Sequence, residues 1–165
     1  MRDAKAASKT DPGTGLYNRS VLTSEVPTLI RETTARNQTV CMLVMDIDYF
    51  KNINDSWGHL YGDEVLRHLA VILQRSFRQS DIIIRYGGDE FIVFLPGAKL
   101  NHAREVAERL CATVRSQLLL PNGKNATLSI GAAEMRPDEE LLDLIARADE
   151  ALYLSKQAGR DRVST

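Results

Sequence analysis

The residues best suited to chemistry in this sequence are two adjacent carboxylates, Asp89 and Glu90, which interrupt an apolar stretch at 82–95. The runs on either side of Gly87-Gly88-Asp89-Glu90 are rich in β-branched and aromatic residues, and this pattern predicts a β-hairpin. We expect the glycines to supply the positive φ that a tight turn requires. Because turns favour aspartate and face solvent, an ordinary turn also explains the two acids taken alone.

A second acidic cluster, Asp46-Ile47-Asp48, follows a short apolar run at 40–44 that predicts a buried strand. We expect the two acids to point to opposite faces, one toward a site and the other held structurally. If this strand and the hairpin are neighbours in one sheet, Asp46 and Asp89 converge. Two carboxylates without a basic partner repel each other unless a cation lies between them, and ligands that are all oxygen favour Mg²⁺ or Mn²⁺.

Hydrophobic periodicity predicts the elements that must position these acids. The predicted helices cover 20–36, 63–77, 102–119 and 137–158. Pro27 must kink or restart the first of them. A further strand is predicted at 126–133, with a glycine where another group approaches closely. The polar segment 49–62 is expected to be turn-like.

The resulting order is helix, strand, helix, strand, strand, helix, strand, helix. Its β-α-β-β-α-β portion is typical of the split-βαβ, ferredoxin-like α+β fold, in which we expect an antiparallel sheet with helices packed on one face. The first strand and the hairpin are neighbours in that fold, which favours convergence of Asp46 with Asp89.

Composition narrows the class of protein. The 165 residues suit one domain, and a net charge of −1 from 21 basic and 22 acidic residues provides no basic field for a nucleic-acid duplex. No apolar run reaches membrane-spanning length, and no signal peptide is recognisable. Cys41 and Cys111 lie in separate apolar runs, which favours buried thiols in a reducing cytoplasm over a disulfide or a zinc site.

Residues 1–10 are small and charged, and we expect them to be the end of a connector from an upstream domain. Residues 11–165 are then predicted to form a single domain. The abrupt start suggests a fragment of a longer protein.

Several motifs, in order along the chain, resemble the GGDEF domain, the nucleotidyl-cyclase-like catalytic domain of bacterial diguanylate cyclases. The signature Gly87-Gly88-Asp89-Glu90-Phe91 is intact and follows Arg85-Tyr86. The other matching blocks are Asp46-Ile47-Asp48-Tyr49-Phe50-Lys51-Asn52-Ile53-Asn54-Asp55, Gly58-His59, Gly62-Asp63, Ser129-Ile130-Gly131, and Ala148-Asp149-Glu150-Ala151-Leu152-Tyr153 with Lys156, Gly159 and Arg160. A five-residue motif alone is a fair chance match, but this many blocks in order is not.

The resemblance implies an enzyme that joins two GTP into cyclic di-GMP and releases two pyrophosphates. It implies a homodimer in which each protomer holds one GTP, usually behind an upstream sensory domain. Asp46, Asp89 and the main-chain carbonyl of Ile47 would bind Mg²⁺ or Mn²⁺. Asp89 or Glu90 would help to remove the 3′-hydroxyl proton. Lys51 is a further candidate catalytic residue.

The resemblance also implies how GTP is held. Asn54 and Asp63 would read the N1–H and N2–H₂ edge of guanine, which adenine does not present. Lys156 and Arg160, expected i,i+4 on one helix face, would reach the β- and γ-phosphates. Without the resemblance, a solvated helix C-terminus explains these two cations. Further candidate contacts are the main-chain N–H groups of Phe50 and Lys51 near the triphosphate, and His59, although a lone histidine more often packs in a turn.

Arg78-Gln79-Ser80-Asp81 matches the inhibitory RxxD motif of the family, which implies product inhibition by cyclic di-GMP with Arg109 as a second arginine. Taken alone, an RxxD at a helix end is often a local ion pair. Gly13 departs from the family, whose opening motif reads D-x-L-T-G-L. We expect this change to loosen the N-terminal segment and to affect regulation more than chemistry.

Two other classes of protein compete with an active cyclase. A non-catalytic module that binds GTP or cyclic di-GMP usually lacks signature acids or phosphate-binding basic residues, and this sequence retains them. A purely structural ferredoxin-like domain leaves both acidic clusters unexplained. The sequence therefore predicts a cytoplasmic, Mg²⁺-dependent, product-inhibited diguanylate cyclase domain.

Overall fold

The computed structural model describes residues 8–165, so residues 1–7 of the predicted connector lie outside the described residues. The strands are β1 (Val40–Ile47), β2 (Ile82–Arg85), β3 (Glu90–Pro96), β4 (Leu128–Glu134) and β5 (Val163–Ser164). The helices are α1 (Glu25–Ala35), α2 (Phe50–Trp57), α3 (His59–Ser76), α4 (Leu100–Gln117) and α5 (Leu141–Gln157), with a 3₁₀ helix at Arg19–Thr23. In this described part, no helix has the length and hydropathy to cross a membrane.

The strands form one sheet in the order β2-β3-β1-β4-β5, antiparallel except for the β4–β5 pair. The first four strands follow the split-βαβ order, so the predicted fold class is confirmed. β5 was not predicted, because two residues give no periodic signal. The β1–β3 register places Asp46 opposite Glu90, which confirms that the first strand and the hairpin are neighbours.

Both faces of the sheet are covered, so the expectation of helices on one face only was wrong. Side chains of β1 alternate between a cluster with α2, α3 and α4 and a second cluster with α1 and α5. The crossover helices do share one face, as predicted. The flanking helices α1 and α5 cover the other, which is why β1 is apolar on both sides.

The segment 49–62 is largely helical, which corrects the prediction of a turn-like connection. Phe50, Ile53 and Trp57 recur at helical spacing and pack on the core, while most of the polar residues face outward. Gly58, with φ of +91°, separates α2 from α3. Pro27 lies in the first turn of α1, where its missing N–H is harmless, so the chain restarts there as expected.

The predicted close approach in the fourth strand is confirmed at Gly131. A Cβ there would overlap with backbone atoms of Ala148 and Leu152 on α5. The missing side chain lets α5 lie directly on the sheet, and α5 carries residues of the candidate site.

Candidate active site

The candidate active site lies where the β1–β3 pair meets α5. Asp46 and Glu90 are cross-strand neighbours, and side chains in such a pair project on the same face. α5 covers that face, and its Lys156 donates a hydrogen bond to Oδ2 of Asp46. The other carboxylate oxygen of Asp46 is buried and has no hydrogen-bond partner among the described residues.

Four carboxylates interact at this site, and Lys156 lies near them. Burial and their mutual repulsion raise several of their pKa values. The four are Asp46, Asp89, Glu90 and Asp149. Burial first, and then the charge of Asp46, raises the pKa of Asp89. Burial, Asp46 and Asp149 raise the pKa of Glu90 to about 7. The pKa of Asp149 is also raised by burial and Asp46. The sequence analysis assigned no role to Asp149, although it lies two helical turns before Lys156 on α5, a spacing that places both on one face.

Asp46 and Asp48 make different contacts, but they do not point to opposite faces, which corrects that prediction. Residues two apart along a strand share a face. Asp48 accepts hydrogen bonds from the hydroxyls of Thr127 and Ser129 and from the N–H of Asp161, so it is directed toward β4. It ties β1 to β4 and to the loop after α5, while Asp46 remains at the site.

The protein groups at this site supply some of the ligands of a divalent cation but not a complete set. Among the described residues, one oxygen of Asp46 has no hydrogen-bond partner, and the main-chain carbonyl of Ile47 lies at the end of β1. The charges of Asp46 and Asp89 repel each other, and a cation between them would relieve that repulsion. Within 8–165, no three His, Cys, Asp or Glu side chains converge as a metal-ligand set. Mg²⁺ is commonly held by one or two carboxylates together with substrate phosphates, and this donor set suits that arrangement.

The turn between β2 and β3 differs from the predicted one. Neither Gly87 nor Gly88 has positive φ, so the glycines do not serve left-handed geometry. The turn is closed by the N–H groups of Tyr86 and Gly87, which both donate to the carbonyl of Glu90. A Cβ at Gly88 would meet no atom within 4 Å, so the glycine leaves bare backbone open to a ligand.

Arg85 fixes this turn, and the sequence analysis gave it no role. Its guanidinium donates to the carbonyls of Gly87 (3.3 Å) and Gly88 (2.9 Å) and pairs with Asp11 at 3.2 Å. The N-terminal segment and the signature turn are therefore joined through one side chain. The available signal was a cation two residues before Gly87, at the end of an apolar run.

The predicted guanine contacts lie on adjacent helices. Asn54 on α2 has a buried Oδ1 with no partner among residues 8–165. A Cβ at Gly62 would overlap with that oxygen, so the glycine is what admits the amide. Asp63 follows on α3 and is exposed. The structure places both side chains at the α2–α3 junction but shows no bond between them.

The start of α2 offers main-chain donors. Its first residues are Phe50 and Lys51, and Tyr49 before them provides no side-chain cap. The first N–H groups of a helix lack intrahelical partners and suit an anion. The Lys51 side chain is 88% exposed and pairs with Asp55 at 3.4 Å, so the structure does not join it to the carboxylates.

Lys156 and Arg160 do not share a helix face, which corrects that prediction. α5 ends at Gln157, and Gly159 with φ of +120° directs the chain away. Arg160 lies in the following loop, where its guanidinium stacks 4.8 Å from the ring centroid of Tyr49. His59 is exposed at the first residue of α3.

The RxxD motif forms a compact turn after α3. The carboxylate of Asp81 accepts the main-chain N–H of Arg78 at 2.8 Å, and no side-chain ion pair joins them in the described residues. Burial raises the pKa of Asp81 against the opposing charges of Arg78 and His102. Arg109 lies seven residues beyond His102 on α4, about 10 Å along the helix. A cavity of about 550 Å³ borders this turn and is lined in part by Leu16, Tyr17 and Phe77.

Comparison with known proteins places this site in a family. The family model described as "Diguanylate cyclase, GGDEF domain" matches residues 8–162. Diguanylate cyclase DgcP of Pseudomonas aeruginosa is 38% identical over 165 residues, covering 99% of this chain and 25% of that protein. Diguanylate cyclase DosC of Escherichia coli is 43% identical over 157 residues, covering 91% of this chain and 33% of that protein. The chain thus spans a quarter to a third of these relatives.

The fold agrees with the sequence relatives. The GGDEF domain of DgcB from Caulobacter crescentus, solved in complex with c-di-GMP, superposes with a TM-score of 0.88 at 35% identity and covers 95% of either chain. This chain belongs to the GGDEF domain family of diguanylate cyclases.

Proposed function

We propose that this chain is an active diguanylate cyclase domain, which condenses two GTP into cyclic di-GMP with release of two pyrophosphates. The observation that carries the proposal is the buried Oδ1 of Asp46, which has no hydrogen-bond partner within residues 8–165 and lies among four carboxylates near Lys156. A protein keeps such an electrostatically costly arrangement where function requires it. The unbalanced negative charge suits a divalent cation.

Asp46, Asp89 and the carbonyl of Ile47 would hold Mg²⁺ or Mn²⁺ at this site. When bound, the cation supplies neutralisation of the triphosphate and of the charge that develops at the α-phosphate. Asp89 and Glu90 are both candidates to take the proton of the 3′-hydroxyl. The bare backbone at Gly88 supports the close approach of a nucleotide to this turn.

The triphosphate would be held from both sides. The N–H groups at the start of α2, which Tyr49 does not cap, would cradle phosphate oxygens. Lys156 pairs with Asp46, and it would turn to phosphate when GTP arrives. Arg160, which stacks on Tyr49 beside α2, approaches from the loop after α5. Lys51 and His59 are exposed at the rim, where a nucleotide can reach them.

Guanine would be read by Asn54 and Asp63. The Oδ1 of Asn54, which has no partner in the described part of the chain, supports this role, because a buried amide oxygen without a donor is costly until a ligand supplies one. A base that lacks matching donors leaves such groups unpaired, and the site penalises it strongly.

Regulation by product would use the RxxD turn. Asp81 has a buried oxygen without a partner among residues 8–165, and its other oxygen accepts a main-chain N–H instead of the Arg78 guanidinium. The exposed guanidinium of Arg78 is therefore available to a phosphate of cyclic di-GMP. Arg109, on the same side as His102 along α4, would extend the site. We further propose that catalysis takes place in the cytoplasm, in a homodimer with one GTP on each protomer, under an upstream sensory domain.

The proposal is tested by incubating the purified chain with GTP and Mg²⁺, Mn²⁺ or a chelator and following cyclic di-GMP by chromatography over a series of protein concentrations. We expect metal-dependent product that rises faster than linearly with protein and is lost in Asp46→Asn. Glu105→Gln, an exposed acid on α4, is the matched control. Binding of GTP without product at any concentration would identify a non-catalytic nucleotide-binding module instead.

A further inference from the structure

A small cavity of about 140 Å³ separates the N-terminal turn from α3, beside the proposed guanine contact Asp63. Its lining residues are Gly13, Thr14, Asp63, Leu66, Arg67 and Arg85. The turn that carries Gly13 is well held, because the N–H and hydroxyl of Thr14 both donate to Asp11, which pairs with Arg85. The cavity is therefore bordered by a turn that hydrogen bonds and an ion pair hold in place.

Gly13 is what keeps this space open. Its backbone is not left-handed, so no conformational reason requires glycine there. A Cβ would lie 3.2 Å from the Arg85 guanidinium and 3.5 Å from the Asp11 carboxylate, contacts that a flexible arginine can relax. A larger side chain at this position would occupy the wall between Arg85 and Asp63.

We propose that Gly13 extends the base pocket, so that the site accepts guanosine triphosphates with a substituent on the exocyclic N2. The inference rests on the proposed contact between Asp63 and the guanine edge. If the Asn54 amide oxygen accepts N1–H and the Asp63 carboxylate accepts one N2 hydrogen, both contacts survive when a group replaces the other N2 hydrogen. That group then starts at the wall of this cavity, which Asp63 lines. The position at residue 13 then sets which purine nucleotides enter.

The size and chemistry of the cavity favour an aryl substituent. An engineered cavity of about 150 Å³ admits benzene, so a space of about 140 Å³ admits a phenyl group. Leu66 supplies an apolar surface, and the guanidinium groups of Arg67 and Arg85 can stack on an aromatic ring. An aliphatic group of similar size gains only the first of these contacts.

The test compares GTP with N2-phenyl-GTP on the whole chain and on the series Gly13→Ala and Gly13→Leu. For each protein, kcat/KM for the two nucleotides is measured by product chromatography and Kd by calorimetry in chelator. We expect the chain to use N2-phenyl-GTP within about tenfold of GTP. We expect the ratio of N2-phenyl-GTP to GTP to fall by a further factor of about 10 to 100 in Gly13→Leu, with Gly13→Ala between.

Taking the ratio within each variant removes any general loss caused by the substitution. The inference is overturned if the chain rejects N2-phenyl-GTP while it binds GTP, or if the ratio is the same in all three proteins. Absence of GTP turnover would instead overturn the proposed cyclase activity. In that case the ratio of the two Kd values still decides whether Gly13 opens the pocket.

Discussion

Carboxylates in two regions of this domain have opposite environments. At the candidate active site, burial and mutual repulsion raise the pKa of Asp89 and Glu90. Away from it, hydrogen bonds from Arg147 and from the main-chain N–H of Arg136 lower the pKa of Glu139 to about 2. One region leaves negative charge uncompensated, while the other saturates it with donors.

The difference separates acids that stabilise the fold from acids whose charge the fold leaves uncompensated. Asp48 is 5% exposed and accepts three hydrogen bonds, so it resembles Glu139 although it lies two residues from Asp46. Proximity along the chain therefore does not define the site. What defines the site is whether the carboxylate oxygens have hydrogen-bond donors. Substitutions should therefore affect activity at the candidate active site and stability at the acids that are fully hydrogen-bonded.

Asp89→Asn should give the largest effect and should affect activity alone. We expect cyclic di-GMP formation to fall by about 10³-fold, because the amide would be a weaker ligand for the cation proposed to neutralise the triphosphate. We expect no fall in Tm, because the substitution also removes a buried charge that Asp46 repels. Product chromatography and thermal unfolding measure the two quantities. A drop in Tm of several degrees would place Asp89 with the structural acids.

Asp48→Asn should show the reverse pattern. The carboxylate accepts from three donors, and an amide must turn its NH₂ toward at least one of them. We expect a loss of about 3 kcal/mol in the free energy of unfolding, measured with urea. Glu105→Gln, an exposed acid, should stay within about 0.5 kcal/mol of the parent chain. A stable Asp48→Asn with reduced product would mean that Asp48 belongs to the site.

The sequence predicted the order of elements and the pairing of Asp46 with the hairpin, because period-2 and helical patterns are local and strong. It did not predict α2, because polar residues over 49–62 masked the spacing of Phe50, Ile53 and Trp57. It also missed the second helical face of the sheet, since periodicity shows that a helix has an apolar face without showing which layer that face meets.

At the site, residue types were more predictable than their partners. The motifs selected Asp46, Asn54 and Asp81, and each has a buried oxygen without a partner among the described residues. The partners of Arg85 and the proximity of Asp149 depend on contacts between distant segments. The separation of Lys156 from Arg160 depends on where α5 ends, and helix ends are set by local capping that a periodic pattern does not resolve.

Glu139→Gln should lower stability in a pH-dependent manner. The folded pKa of Glu139 is lowered from 4.5 to about 2, so its contribution is complete above pH 4.5 and is lost as the pH falls toward 2. We expect a cost of about 2 kcal/mol at pH 7 that shrinks below pH 4.5, measured by urea unfolding across this range. Glu140→Gln, the exposed neighbour, is the control. A cost that does not change with pH would show that the Arg147 pair is not its cause.

Asp149→Asn should give the smallest change in stability and, unlike Glu139→Gln, should increase it. Burial and Asp46 raise the folded pKa of Asp149, so its ionised form opposes folding once the pH rises above the ordinary value of 3.8. The carboxylate is partly desolvated by its neighbours, but the residue as a whole is exposed, so solvent screening limits the gain from Asn to about 0.5 kcal/mol, or about 1–2 °C in Tm.

The sign of that change is what distinguishes the two regions. If Asp149 belongs with the repelling acids, Asp149→Asn is more stable than the parent chain at pH 7, and the gap closes as the pH falls below 3.8. Asp143→Asn, on an exposed turn of α5, should show no such gain. Added Mg²⁺ should reduce the advantage of Asp149→Asn, because a cation at Asp46 relieves the same repulsion that the substitution removes. A loss of stability at pH 7 would instead mean that Asp149 is compensated by Lys156 and belongs with Asp48 and Glu139.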